Sequence, residues 1–383
     1  MSKLSEIPYS TQWIDEDDIQ AVVDVLRSPL LTQGPKITEF EEKVAKYCGA
    51  KHAVAVNSGT AALHIACCAA GITAGDEVIT SPITFVASAN CVLYCGGKPV
   101  FADVRPDTID IDPEDIRQKI TQKTKAIIPV HFSGNPCEME QIQAIAKENG
   151  LIVIEDAAHA VGAEYKDTKV GSGKYSDMTT LSFHPVKNLT TGEGGMVLTN
   201  NDELYEKLKF YRSHGITRDP KYLRINKSIN EDEGIWYYEM HKLGFNYRIT
   251  DIQCALGLSQ LNKLDSFIAK RREIAAKYDK AFGSSGNITM LKETFEARSA
   301  YHLYVIQVEN RKDLYYKLRD KGIIANVHYI PVYYQPYYRE LGYERGLCPN
   351  AEVYYQRCLS IPIYPKLTDT QFDFVVNSIK ESL

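Results

Sequence analysis

Three short segments carry side chains whose chemistry can be joined. In Asn57-Ser58-Gly59-Thr60 a turn stands between the apolar run AVAV (53–56) and a helical pattern that begins at Ala61. Free backbone N–H groups at a helix start, with the helix dipole behind them, favour an anion, so Ser58, Gly59 and Thr60 suit a phosphate. Ser and Thr in that place also act as plain caps, and the segment alone does not separate the two readings. The second segment is LIVIEDAAHA, where Asp156 closes an apolar run at the C-terminal end of an expected buried strand, the edge on which α/β folds place ligands. An ionised carboxylate there needs a cation, either a structural Arg or the protonated ring nitrogen of a cofactor. His159, three residues on, is more commonly a hydrogen-bonding residue than a catalyst. The third is Lys187 in MTTLSFHPVKNLTTGEGGMVLTN, between two strand-like runs and ahead of Gly192, Gly194 and Gly195. A loop lysine is ordinarily solvated, but an amine drawn into an apolar or cationic site has a lowered pKa and attacks carbonyls, the requirement for a Schiff base. Cradle, strand-end acid and amine, in that order and spacing, are what pyridoxal 5′-phosphate needs.

The elements that must position these residues follow from periodicity. Asp15 to Leu26 and Ile37 to Tyr47 read as helices around the loop Ser28 to Gly34, and residues 61–71 read as a helix stopped by Gly71. Short apolar runs at 77–80, 98–104, 125–131, 151–157, 178–183 and 195–200 read as strands, with helices between several of them, notably Glu138 to Asn149. Strands alternating with helices predict an α/β fold with a mainly parallel sheet flanked by helices. From Asp251 to Phe282 the sequence reads as one long helix, after which come shorter elements rich in tyrosine. We therefore expect a large cofactor-binding domain over 1–250 and a smaller C-terminal α+β domain over 251–383. The late tyrosines, from Tyr329 to Tyr364, suit either a ligand groove and subunit interface or a packed core.

Composition narrows the function classes. The chain has 383 residues, with 44 Lys+Arg against 49 Asp+Glu for a net charge of −5, so no basic surface for nucleic acid is expected. No run approaches the length of a membrane span, the first residues have no apolar leader core, and the cytoplasm is the expected location. Nine cysteines, an odd number set mostly in apolar patterns, read as free thiols. Cys91 and Cys95 have no Cys/His pair after them at ligand spacing, so no metal is expected. A nicotinamide enzyme is disfavoured because no G-x-G-x-x-G follows the first strand.

Together, VNSGTAALHIA, TSPITFVASANCV, VIEDAAHAVGAEY, SFHPVKNLTTGEGGMV, YRSHG and LGFNYRITDIQCALGLSQL resemble the DegT/DnrJ/EryC1/StrS family of sugar aminotransferases over nearly the whole chain. The resemblance implies a type I aspartate-aminotransferase fold and a homodimer with sites at the subunit boundary. It implies that Lys187 carries pyridoxal 5′-phosphate and, once displaced by the amino donor, moves the proton between donor and cofactor. Asp156 would pair with the pyridine nitrogen, and Phe85 would stack on the ring. His159 would lie near the 3-hydroxyl. The phosphate would be held by Ser58, Gly59, Thr60 and Ser182, joined by Asn246 from the neighbouring subunit. Within the family, LTQGPKITEFEEKVAKYCGAKHAVAVNSGTAAL and IIANVHYIPVYYQPYY are similar to the branch serving pseudaminic acid biosynthesis, which moves nitrogen from L-glutamate to C4 of a UDP-linked 4-keto-6-deoxy-N-acetyl-β-L-hexosamine. In that branch His328 and Tyr329 would reach the sugar nucleotide. A sibling acting on a D-configured UDP-4-keto sugar or a dTDP-keto sugar stays open. The family's dehydratases carry histidine where this chain has Lys187, and a regulator would need a fused DNA-binding segment for which there is no room.

Overall fold

The computed structural model describes residues 6–224 and 234–383; residues 1–5, the start of the segment read for a leader, lie outside the described part. Seven short runs pair into one sheet: β1 (His52–Val56), β2 (Glu77–Thr80), β3 (Lys98–Phe101), β4 (Thr124–Ile128), β5 (Ile152–Asp156), β6 (Met178–Ser182) and β7 (Gly195–Thr199). Their spatial order is β1-β7-β6-β5-β4-β2-β3. Neighbours from β3 to β6 run parallel, and β7 runs antiparallel to both β1 and β6. Every residue of β6 and β7 is buried, as expected for strands covered on both faces. The antiparallel return from β6 to β7 makes the intervening loop, residues 183–194, turn back at the C-terminal end of β6, and Lys187 lies on it.

Helices cover the sheet: α1 (Glu16–Leu26), α2 (Pro35–Cys48), α3 (Gly59–Ala70), α4 (Ala87–Tyr94), α5 (Pro113–Lys119), α6 (Met139–Asn149) and α7 (Asp202–Arg212). α1 begins on a capping box between Asp15 and Asp18. α3 is capped by Ser58 and ends at Gly71, whose φ of 77° is the left-handed conformation that glycine adopts most cheaply. Nearly all of α3 is buried, so it is wedged between sheet and neighbouring helices rather than lying on the surface.

The pattern from Asp251 to Phe282 is two helices, α8 (Asp251–Leu261) and α9 (Leu264–Phe282), not one. The break has a cause: Lys263, in the joint, donates to Asp15 at 2.5 Å and pairs with the buried Asp18 at 2.9 Å, while Gln260 donates to the Trp13 carbonyl and to Asp18. Docking on α1 overrides the helical periodicity. The place where packing changes hands also lies beyond residue 251. Cys254, Leu258, Leu264 and Ile268 pack with Phe40, Val44 and Leu181, whereas Ile274, Tyr278 and Phe282 pack with Leu314, Val375 and Ile379. The second core is built on a three-stranded antiparallel sheet, β8 (Thr289–Met290), β9 (Tyr304–Gln307) and β10 (Cys358–Ile361), with α10 (Arg311–Asp320), α11 (Pro336–Glu340), α12 (Pro349–Arg357) and α13 (Asp369–Ser382).

The N-terminal segment straps the two cores. Ile7 and Pro8 pair in parallel with Ile323 and Ile324, the Tyr9 carbonyl accepts from Ile363 N–H at 2.9 Å, and Ser10 Oγ donates to the Val186 carbonyl beside Lys187 at 3.2 Å. The buried Arg271 donates to the carbonyls of Tyr301, His302 and Ile363 underneath this strap.

Candidate active site

The C-terminal ends of β5 and β6 and the N-terminal end of α3 meet at a cleft of about 910 Å³. At its floor, Ser58 Oγ accepts from the Ala61 N–H at 3.1 Å, which caps α3 and leaves its own O–H proton free to donate. Gly59 is glycine for a steric reason: a Cβ there would stand 2.8 Å from the Ser182 Cβ. The start of α3 and the end of β6 are thus pressed together, and Ser58, Gly59, Thr60 and Ser182 line one pocket of hydroxyls and backbone donors. This is the geometry of an anion cradle at a helix N-terminus.

Across the cleft, Asp156 is 4% exposed and held by two donors, Ser88 Oγ at 2.5 Å and the Ala158 N–H at 3.1 Å. Ser88 has one hydroxyl proton, so with that proton on Asp156 the 2.7 Å contact to Thr84 Oγ1 is a bond that Thr84 donates. The alternation of a strand sends the preceding Glu155 to the opposite face, where His131 meets it at 2.7 Å and Ser176 and Thr179 donate to it. Burial opposes the Glu155 charge, yet those partners hold its carboxyl below the ordinary range. The last turn of β5 is therefore fixed from both faces.

Lys187 is half-exposed, but that surface opens into the cleft rather than into bulk solvent. Burial pushes its amine down to about 8, against the opposing pull of the Asp156 charge. Among the described residues nothing hydrogen-bonds or pairs with this amine. His159 is buried, and burial together with the positive charge of Lys187 pushes its pKa well down, so the ring is neutral at physiological pH. Its Nε2 meets the Tyr329 hydroxyl at 3.2 Å while Nδ1 is buried without a partner. His328 is fixed by Ser360 at 2.8 Å and pushed down to about 3 by burial and by Lys187. The Tyr329 phenol is pushed up by burial, and its ring sits edge-on to Phe132. Phe85 is 59% exposed at the mouth, its ring 6.5 Å from that of Tyr329.

The residues assigned to this chain's own site thus converge on one cleft. Asn246, which the resemblance gives to a partner's site, lies outside it: its backbone bridges to Ser213, between Phe245 and Tyr247, which pack on His64. Two residues that sequence reading passed over belong to the site. Ser88 orients Asp156, and His302, buried with its ring 4.3 Å from that of His159, backs the histidine. Nothing in ASANC or in SAYHL announces either role; only the pairing of distant segments does.

These residues fit pyridoxal 5′-phosphate. The cradle that a Cβ at Gly59 would fill, the unpaired amine of Lys187, the carboxylate opposite it and the orphaned His159 Nδ1 are the complementary groups for a phosphate, an aldehyde, a ring nitrogen and a ring hydroxyl. The late tyrosines divide: Tyr333, Tyr338 and Tyr354 are buried around Phe101 and Phe132, whereas Tyr329 faces the cleft.

Comparison with known proteins agrees with this geometry. The model of the DegT/DnrJ/EryC1/StrS aminotransferase family matches residues 12–380. The spore coat polysaccharide biosynthesis protein SpsC of Bacillus subtilis is 43% identical, over 98% of this chain and 96% of its own. The UDP-4-amino-4,6-dideoxy-N-acetyl-beta-L-altrosamine transaminase of Campylobacter jejuni serotype O:23/36 is 39% identical, over 97% and 96%. Among solved structures, Helicobacter pylori PseC, an aminotransferase involved in pseudaminic acid biosynthesis, superposes with a TM-score of 0.90 at 35% identity over 99% of each chain. The PLP form of the sugar aminotransferase Spr1654 of Streptococcus pneumoniae gives 0.90 at 31% identity over 98% of each.

Proposed function

Because this chain belongs to the DegT/DnrJ/EryC1/StrS aminotransferase family and is a pyridoxal-phosphate-dependent sugar aminotransferase, we propose that it moves an amino group from L-glutamate to C4 of a UDP-linked 4-keto-6-deoxy-N-acetyl-β-L-hexosamine. The observation that carries the chemistry is the Lys187 amine, unpaired and held near neutrality, in one cleft with Asp156 and the Gly59 cradle. The choice of acceptor is supported by the likeness to the Campylobacter transaminase and to Helicobacter PseC.

In this reading Ser58, Gly59, Thr60 and Ser182 hold the cofactor phosphate, and Phe85 covers the ring at the mouth. Asp156 keeps the ring nitrogen protonated, as a carboxylate kept in place by Ser88 and Ala158 can. When bound, the cofactor supplies an electron-withdrawing ring that stabilises the negative charge left as the donor loses its Cα proton. Lys187 takes that proton as an amine and returns it as an ammonium, and a pKa of about 8 lets it do both near neutral pH. Neutral His159, fixed by Tyr329, offers its free Nδ1 to the ring hydroxyl. His328 and Tyr329 form the wall against which the hexose is placed, and Asn246 completes the phosphate site of a partner subunit in a homodimer.

SpsC, whose name states no acceptor, is more similar to this chain than the Campylobacter transaminase is, so a second reading is kept, a sibling enzyme acting on a D-configured UDP-4-keto sugar or a dTDP-keto sugar. The deciding experiment incubates holoenzyme and L-glutamate with a panel of nucleotide-linked keto sugars and uses NMR to find which carbon gains nitrogen and in which orientation. Amination of only a D-configured or dTDP-linked acceptor overturns the first reading.

A further inference from the structure

Along α3 beyond the first turn that lines the cleft, three soft side chains converge. His64 and Cys68 stand one turn apart on α3, and Cys95 is the residue that ends α4. One ligand atom from each lies within 4.8 Å of the others. We propose that His64, Cys68 and Cys95 form a binding site for a thiophilic divalent cation, Zn²⁺ or one of similar preference, distinct from the cofactor cleft.

The distances suit such an ion. Zinc–sulfur bonds of about 2.3 Å at a tetrahedral angle hold two sulfurs roughly 3.8 Å apart, and Cys68 Sγ and Cys95 Sγ stand 3.6 Å apart. The imidazole is already oriented: Nδ1 is 3.1 Å from the Tyr247 hydroxyl, which leaves Nε2 as the nitrogen free to ligate. A metal-bound histidine characteristically gives its other ring N–H to an oxygen in this way, which fixes its tautomer. His64 is buried while Cys68 and Cys95 are half-buried, so the ion has a way in and a fourth position is left for water. The next thiols along each helix, Cys67 and Cys91, are fully buried and turned from that opening. Two sulfurs, one nitrogen and no carboxylate exclude Mg²⁺ and Ca²⁺, which take oxygen ligands.

Binding needs no electron transfer. Both sulfurs ligate as thiolates, so the Cys68 and Cys95 protons pass to solvent and the ion replaces the contact between the two sulfurs. The ion would rivet the middle of α3, whose first turn is the phosphate cradle, to the end of α4, whose Ser88 holds Asp156.

The test loads tag-free holoenzyme with Zn²⁺, desalts it and measures metal per chain by inductively coupled plasma mass spectrometry, with Co²⁺ as a spectroscopic probe read in the red, away from cofactor absorption. Expected are one Zn²⁺ per chain and the intense ligand-field bands of tetrahedral thiolate-bound Co²⁺, both lost in Cys68→Ser and in Cys95→Ser. Tyr247→Phe, which removes only the hydroxyl behind His64, should weaken binding roughly tenfold or more. The visible cofactor band, retained in each variant, shows that the variants fold. The proposal is overturned if the parent retains no metal with its thiols titrating as free, if metal is retained equally by the double Cys68→Ser, Cys95→Ser variant, or if intact mass shows a Cys68–Cys95 disulfide in protein kept under reducing conditions.

Discussion

Replacing Asp156 by asparagine changes charge with almost no change of shape, and its consequence follows from the two donors that hold the residue. Ser88 Oγ and the Ala158 N–H both point at carboxylate oxygens. An amide presents one oxygen and one NH₂, so with the oxygen kept toward the Ala158 N–H, Ser88 Oγ must accept from the NH₂ and turn its own proton to Thr84, and the charge-assisted bonds are lost. A charge-assisted hydrogen bond is worth about 1.5–3 kcal/mol, which at about 1.4 kcal/mol per decade is on the order of ten- to a hundredfold. The neutral amide also no longer keeps a proton on the cofactor's ring nitrogen, and that loss adds to the first. We therefore expect the L-glutamate half-reaction to slow by at least about 100-fold, while the phosphate cradle, a whole strand away, still holds the cofactor. Ser88→Ala is the graded control: it removes one donor and leaves the charge, for a loss of roughly tenfold. Stopped-flow spectroscopy of the cofactor band, with bound cofactor quantified in parallel, separates rate from occupancy. An asparagine variant within about twofold of the parent, at full occupancy, refutes the role given to Asp156.

Lys187→Ala should abolish the visible band of the bound cofactor, and borohydride trapping of the parent followed by peptide mapping should place the label on Lys187; a label on another lysine sinks the assignment. Because burial brings the Lys187 amine down to about 8, protonation below that value removes the nucleophile, so cofactor-free protein should recombine with pyridoxal 5′-phosphate at a rate that rises with pH to a plateau above about 8. A rise that continues toward the ordinary lysine value of 10.5 contradicts that environment. Mixing inactive Lys187→Ala with inactive Asn246→Ala subunits should restore part of the activity, since some heterodimers carry one intact composite site; mixtures that stay dead after verified subunit exchange dispose of the shared site. Tyr329→Phe should raise KM for the sugar nucleotide with the glutamate half-reaction nearly unchanged, whereas equal damage to both half-reactions points to support of His159, whose Nε2 it meets.

What could be read ahead of the structure was what local rules encode. The strand-turn-helix around Ser58 and the acid closing β5 follow from periodicity and capping, and Lys187 is bracketed by two strand patterns. What could not be read depends on distant segments meeting. Ser88 is an unremarkable helix residue until α4 is laid beside β5, and His302 gains meaning only when the second core docks on the first. The joint at Asn262 and Lys263 was hidden because both residues tolerate a helix; the acids of α1 that capture Lys263 lie far away in sequence. The tyrosines of the C-terminal segment carried the same ambiguity, since a phenol ring serves a core and a cleft equally well. Tyr333 went one way and Tyr329 the other.

The strap formed by Ile7, Pro8, Tyr9 and Ser10 bears on how the protein is made. Its partners are at Ile323, Ile324 and Ile363, near the other end of the chain, yet through Ser10 it braces the loop that presents Lys187. During synthesis the seven-stranded sheet is complete long before residue 363 leaves the ribosome, so a nascent chain can shape the cradle and place Asp156 while the lysine loop still lacks its brace. The lysine loop gains that brace only once the segment around Ile363 has been made and has docked on the strap. The strap is thus made early and closed late, so a cut within residues 7–10 would release a brace on the lysine loop despite its distance in sequence from Lys187.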